Sequence, residues 1–326
     1  MTNIIPIDSH LPSAPQGSTG EELSKLIEAF LADSQVGAGS KKQYGKLIRL
    51  YLEWLTASGL WGTRITLTEL LRYKGELETK VLDGGARLSS MTVASRMGAV
   101  KQFYNWAESK GMIAFNPSKF LKAPKKEKKF RRKALTPEQG IELLNYFKNA
   151  KSARNYAIVN MMIRRGFRRI EIVRMDVGDV QETPDGRIIS VHGKGQATKN
   201  RWVKIPDKVF DPVAAYLATR GNLPKDAPLF CSEGVFGGAG GRLTEGTISE
   251  MVKVGLVAIG LPGREYVCHS LRHTAGTNII RAGGSKEEAR NMLRHASTKT
   301  TDGYTEAHDE EKRMKQDGSD IADDMM

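Results

Sequence analysis

Cysteine is scarce in this chain of 326 residues: there are two, Cys231 and Cys268. Two are too few for a zinc finger or for a disulfide-built scaffold, and both read as reduced, structural thiols. No run of about 18 apolar residues occurs, so no segment has the length and apolarity of a membrane-spanning helix. The opening stretch MTNIIPIDSHLPSAPQGSTG has neither the basic start nor the apolar block of a secretory signal, so cytoplasm is the expected compartment. Nucleotide-binding loops are missing too. Gly193-Lys194-Gly195 lacks the leading glycine and the following Ser/Thr of a Walker loop, and the glycines of 237–241 read as a turn. Acidic residues do not cluster in the way a catalytic metal requires. Neither a metal nor another cofactor is expected, and no internal repeat or heptad run is evident.

Positive charge is what the chain has in excess. The formal net charge is +13, which points to a polyanionic partner, although charge alone would equally fit RNA or an anionic membrane surface. The excess is concentrated. The segment 122–133, KAPKKEKKFRRK, holds eight Lys/Arg against one acid, whereas the tail after Tyr304 holds three against eight. A hydrophobic content of 40% over this length allows two domains with cores of their own.

Periodicity divides the chain. Residues 1–18 are rich in Pro, Ser and Gly and read as a flexible N-terminus. A region 19–121 carries four helical patterns. The first, near 19–33, is opened by a Ser18/Glu21 capping box. The second is opened by Ser40 and Gln43, buries Tyr44, Leu47, Ile48, Tyr51, Leu52 and Leu55, and ends at Gly59. The third covers Leu67–Leu77. The fourth runs from Ser90 to Ser109, with Val93, Met97, Val100, Tyr104 and Ala107 inward, and is stopped by Asn116-Pro117. The basic segment 122–134 reads as an extended linker. A region 135–310 opens on a helix with Pro137 at its first position. A helix near 152–165, with Tyr156, Val159, Met162 and Ile163 inward, leads to Gly166. A hairpin of Arg187–His192 and Arg201–Ile205 follows, then helices near 207–220, 247–259, 270–281 and 285–294. Residues 311–326 form an acidic tail.

Four separated segments carry chemistry: Gly166-Phe167-Arg168-Arg169-Ile170-Glu171, Gly193-Lys194-Gly195, His269-Ser270-Leu271-Arg272-His273, and Tyr304 nine residues after His295. A set of this kind suits attack on a phosphodiester. Guanidinium forks and imidazoles stabilise the charge that builds on the non-bridging oxygens. Tyrosine supplies a nucleophile that can form a covalent phosphotyrosine. With a pKa near 10 it is weak at neutral pH, and surrounding cations would favour its phenolate.

In order and spacing, the segments GFRRIEI, GKG, HSLRHTAG and LRHASTKTTDGY resemble the tyrosine recombinase (phage integrase) family, and the FYNWA…NP stretch resembles the end of its core-binding domain. The resemblance spans about Glu21 to Tyr304. It implies a mainly α fold with a small β-sheet: an N-terminal four-helix, SAM-like core-binding domain over 19–121, and an α+β catalytic domain over 135–310. It implies that Arg168 and Arg272 clamp the scissile phosphate, that His269 and His295 donate to it, that Tyr304 attacks, and that Glu171 orients the site. Lys194 would protonate the leaving 5′ oxygen. The loop that carries it is longer than the family's tight form, so Lys199 is the alternative. His273 is expected to point elsewhere, as a packing or hydrogen-bonding residue. Arg294 stands where glycine is commoner in the family, and is read as either an added DNA contact or an altered turn.

The resemblance further implies a site-specific recombinase acting on double-stranded DNA with a specific recombination site, as a homo-tetramer in the synaptic complex. No membrane partner is expected. The linker side chains Lys125, Lys126, Lys128, Lys129, Arg131, Arg132 and Lys133 would follow DNA phosphates. The acidic tail would dock on a neighbouring subunit. The short stretch before the first helix argues against a separate arm-type DNA-binding domain. A type IB topoisomerase and a non-catalytic DNA-binding factor are the alternatives.

Overall fold

The computed structural model describes residues 20–122, 132–192, 198–233 and 240–294. The chain separates into two units, Met1–Lys129 and Phe130–Met326. The mainly helical fold with a small sheet is as the sequence implies. The flexible N-terminus, the Ser18 capping box, most of the linker and the acidic tail lie outside the described residues.

The first unit is built on α1 (Gly20–Asp33), α2 (Ala38–Ala57), α3 (Leu67–Thr79) and α4 (Ser90–Ser109). Apolar residues at helical spacing turn one face of each helix inward. Ile48, Tyr51, Leu52, Leu55, Leu70, Val100 and Phe103 are fully buried between them. Two buried phenols, Tyr51 and Tyr104, satisfy each other at 2.7 Å.

One expected helix start and one expected stop signal are corrected, while the expected bounds of α4 hold. Gly37, in extended conformation, precedes α2, and its carbonyl accepts from the Ser40 and Lys41 amides at 2.9 and 3.0 Å. Ser40 therefore lies inside the helix, because the capping-box pattern also occurs within helices. At the end of α4 the chain leaves through Lys110 and Gly111, the latter at φ 66°. Asn116 stops nothing. It is buried and donates back to Asn105 Oδ1 at 2.8 Å.

The second unit opens on α5 (Pro137–Asn149), where Thr136 and Gln139 form a reciprocal capping box and Pro137 takes the first turn. Next come α6 (Ala153–Arg165) and the five-residue α7 (Arg169–Val173). Val159, Met162 and Ile163 of α6 are buried, while Tyr156 is only half-buried. A 3₁₀ turn, Val177–Asp179, leads into an antiparallel sheet of order β1-β2-β3: β1 (Val180–Thr183), β2 (Gly186–Val191) and β3 (Arg201–Lys204). Its register pairs Val180 with Ile189 and Ile189 with Val203. The sequence reading found β2 and β3 as a hairpin and missed β1, which is too short for alternation to mark. Four helices complete the unit: α8 (Asp207–Ala218), α9 (Glu245–Ala258), α10 (Cys268–Arg281) and α11 (Lys286–Leu293). Their core runs from Leu143 and Phe147 through Ile158 and Ile189 to Leu256 and Leu271. No helix among the described residues is long and apolar enough to cross a membrane.

Candidate active site

The site begins where α6 ends. Gly166 turns the chain at φ 60°, and a Cβ there would come within 2.2 Å of Leu293 Cδ2. Glycine is required both for that backbone conformation and for the close approach. The next residue, Phe167, is fully buried and anchors the turn. Arg168 then stands at the N-terminal boundary of α7, with its side chain about 29% exposed.

Glu171 holds Arg168 in place twice. One carboxylate oxygen accepts from the Arg168 amide at 2.9 Å, and the other accepts from its guanidinium at 2.6 Å. Burial pushes the Glu171 carboxyl up. The guanidinium groups of Arg294, Arg168 and Arg272, with the Arg168 amide, outweigh that and hold it below the usual range.

Helix α10 delivers the second arginine. Arg272 is only 1% exposed, and its guanidinium donates to the carbonyls of Gly166 and Leu293. These bonds fix the fork and tie α10 to the ends of α6 and α11. One turn earlier on α10, His269 lines the cleft. The His273 ring packs on it edge to face at 5.2 Å without lining the cavity, as a packing residue should, although it shares that side of α10. Partial burial draws both imidazoles down to about 4. For His269, His273, Arg272, Arg132 and Arg168 reinforce it, and for His273, Arg132 and Arg272 do. Both rings are neutral at pH 7.

Arg168, His269 and Arg272 line one cavity of about 670 Å³, with Arg132, Arg169, Lys253 and Arg264 on its walls. Arg169 is held by Ser249 and by Glu245, the latter at 3.9 Å. Of the linker side chains expected to follow phosphates, Arg132 and Lys133 are described. Arg132 reaches the cavity, whereas Lys133 pairs with Glu265 at 2.8 Å. Cys268, one residue before His269, is buried, and desolvation pushes its thiol up to about 12, which leaves it a poor nucleophile. Cys231 is also free and buried.

Lys199 is engaged elsewhere. Its ammonium lies 2.5 Å from Asp176 and 2.6 Å from Asp179, and Arg242 completes the cluster at 2.5 Å from Asp176. Desolvation opposes the charge of Lys199, and its bonds to Asp176 and Asp179 outweigh it, so its pKa is raised. Lys194, His295 and Tyr304 lie outside the described residues, as do Lys125, Lys126, Lys128, Lys129 and Arg131.

One contributor has no mark in the sequence, and another goes where its sequence did not indicate. Arg201 of β3 donates to the Arg294 carbonyl at 3.2 Å. Arg294 itself turns inward to Glu171 at 2.8 Å and is 9% exposed, so neither of the roles read for it describes where its side chain goes. Its position directly after α11, where glycine is the usual residue, was the available signal. Among the described residues no three His, Cys, Asp or Glu side chains gather to hold a metal.

The profile of the phage integrase family matches residues 133–311. The tyrosine recombinase XerC of Myxococcus xanthus is 30% identical over 300 residues, covering 87% of this chain and 93% of that protein. XerC of Ralstonia pickettii (strain 12J) is 27% identical over 318 residues, 92% of each. Among solved structures, XerH site-specific recombinase bound to palindromic difH substrate, in a post-cleavage complex, superposes with a TM-score of 0.69. It shows 18% identity and covers 93% of this chain and 85% of that one. A lambda integrase dimer bound to a COC′ core site gives a TM-score of 0.64 at 17% identity, covering 88% and 77%.

Proposed function

Because the chain belongs to the phage integrase family and is a tyrosine site-specific recombinase, we propose that Tyr304 attacks a DNA phosphodiester held between Arg168 and Arg272. The bond from phosphorus to the 5′ oxygen breaks, and a 3′-phosphotyrosine link forms. Attack by the 5′-hydroxyl of a partner strand reverses the step and releases Tyr304. The phosphoester energy is kept in the protein–DNA link, so no nucleotide is consumed.

The observation that carries this reading is the convergence of Arg168, Arg272 and His269 on one cavity where six Lys/Arg outnumber the two glutamates, Glu245 and Glu250, with Glu171 bonded beneath Arg168. Two fixed guanidinium groups suit the non-bridging oxygens of a pentacoordinate transition state. A neutral His269 can take the phenolic proton of Tyr304, and a bound anionic phosphate would then stabilise its charged form. His295 is the proposed second imidazole donor. Lys194 is the proposed acid for the 5′ oxygen. The ion cluster around Lys199 favours that choice, since a lysine held by two carboxylates is poorly placed to release a proton.

The partner is double-stranded DNA carrying a specific recombination site. The solved complexes of XerH on its difH substrate and of lambda integrase on a core site support this. The basic linker follows the phosphates, with Arg132 entering the catalytic cavity. Strand exchange takes place in a homo-tetramer, and the acidic tail docks between subunits. The chain acts in the cytoplasm, on a mobile element or a replicon carrying its site.

A pool of nicked duplexes with a randomised segment tests the chemistry. A strand cleaved beside a nick loses its 5′ partner, so the covalent adduct accumulates. The wild-type protein should capture a sequence-related subset of the pool, and Tyr304→Phe should bind those duplexes without forming an adduct. Adducts formed by the Phe variant would remove Tyr304 as nucleophile. Relaxation of supercoiled DNA with no sequence selection would favour the topoisomerase alternative.

A further inference from the structure

Arg294 ends α11 at φ 56°, ψ 44°, and is one of two non-glycine residues with positive φ among the described residues. Glycine ends a helix in this conformation without the steric cost that a Cβ carries there. The side chain is not directed to solvent to relieve that cost. It is buried, with Nη2 donating to Glu171 Oε2 at 2.8 Å and Nη1 donating to the Met292 carbonyl at 2.7 Å. The guanidinium lies 5.1 Å from the Phe167 ring centroid. A strained backbone and a buried cation are both unfavourable, and helix termination needs neither.

What the arrangement achieves is a shared carboxylate. Glu171 accepts at Oε1 from Arg168 at 2.6 Å and at Oε2 from Arg294. With Arg168 alone, the carboxylate and the guanidinium would cancel as a closed pair, and little net charge would face the cavity. With Arg294 beneath it, Glu171 is already balanced, and Arg168 keeps its charge for a ligand. Arg201 grips the same corner from β3 through the Arg294 carbonyl. Resting on the recombinase reading, we propose that Arg294 is a positioning residue that neutralises Glu171 and so leaves Arg168 fully cationic toward the scissile phosphate.

The test uses the nicked duplex enriched by the wild-type protein. Arg294→Gly suits the backbone and removes the cation. It should slow adduct formation by about 10- to 100-fold, the range for losing one hydrogen bond to a charged group, with duplex affinity little changed. Arg294→Gly combined with Glu171→Gln removes the uncompensated carboxylate as well, and should cleave faster than Arg294→Gly alone. A merely structural role predicts the reverse, because the double variant loses one more buried contact. Arg294→Lys keeps a charge near Glu171 without the fork and should fall between wild type and glycine; it serves if the glycine variant does not fold. A glycine variant that cleaves at the wild-type rate, or a double variant no faster than the single one, overturns the proposal. A wild-type protein that captures no duplex at all overturns the recombinase reading beneath it.

Discussion

At the scale of single residues, the two lysines of the β2–β3 connection have different expected fates. Lys194→Ala should slow cleavage, and a 5′-bridging phosphorothioate should restore it, because sulfur leaves without needing a proton. Lys199→Ala should instead loosen the Asp176–Asp179–Arg242 cluster, and the sulfur substrate should not rescue it. Rescue of Lys199→Ala alone would exchange the two roles. The histidine pair predicts a pH effect. His269 and His273 titrate at about 4 in the folded protein against an ordinary value of 6.5. The unfolded chain therefore binds more protons between those values, and the second unit loses stability as pH falls through that window. Glu171, held below its ordinary value, adds its own loss only at more acidic pH. Denaturant midpoints across the window should fall with pH, and His269→Gln with His273→Gln should flatten the slope. An unaltered slope in that double variant would show that these imidazoles titrate normally.

At the scale of elements, the close approach of α9 to α5 sets a clear expectation. A Cβ on Gly255 would come within 2.4 Å of Phe147 Cε2 and 3.1 Å of Leu143 Cδ1. Gly255→Ala should destabilise the second unit by about 1–3 kcal/mol through overpacking. Gly98→Ala, at an exposed position of α4 with nothing within 4 Å, should instead stabilise by about 0.4–1 kcal/mol. Thermal melts of the two variants give the comparison. The contrast also marks what sequence alone makes legible. The bounds of α4 and the Pro137 start of α5 could be read from periodicity and capping, because local rules govern them. Strand β1 could not, since four residues of Val-Gln-Glu-Thr show no pattern until β2 lies beside them. Motif spacing pointed to Arg168, His269 and Arg272, which line one cavity, and to Glu171, which is bonded to Arg168. The inward turn of Arg294 and the capture of Lys199 by two aspartates were not legible, because long flexible side chains take their direction from neighbours distant in sequence.

At the scale of the whole molecule, positive charge is concentrated in the basic segment 122–133. Neutralising Lys125 through Lys133 should weaken binding to all duplexes alike. Each lost phosphate contact should lower the slope of log affinity against log salt by about 0.9. Lys133, already paired with Glu265, should contribute less to that slope than Arg132, which is exposed at the cavity. A slope unchanged by the full replacement would make the segment a solvated connector only.

The four tryptophans are unevenly divided. Trp54, Trp61 and Trp106 belong to the four-helix unit, where Trp54 and Trp106 donate their indole N–H groups to Glu76 and Asp33 at 2.6 and 2.8 Å. Trp202 is the only one in the other unit, on β3 and 64% exposed. Intrinsic fluorescence is thus an optical label written into the sequence. Emission from the three half-buried indoles follows the melting of the four-helix unit. The solvent-washed indole of Trp202 emits farther to the red, beside the hairpin connection that carries Lys194. Trp202→Phe would leave the second unit dark, so that each half of the protein could be watched in the presence of the other.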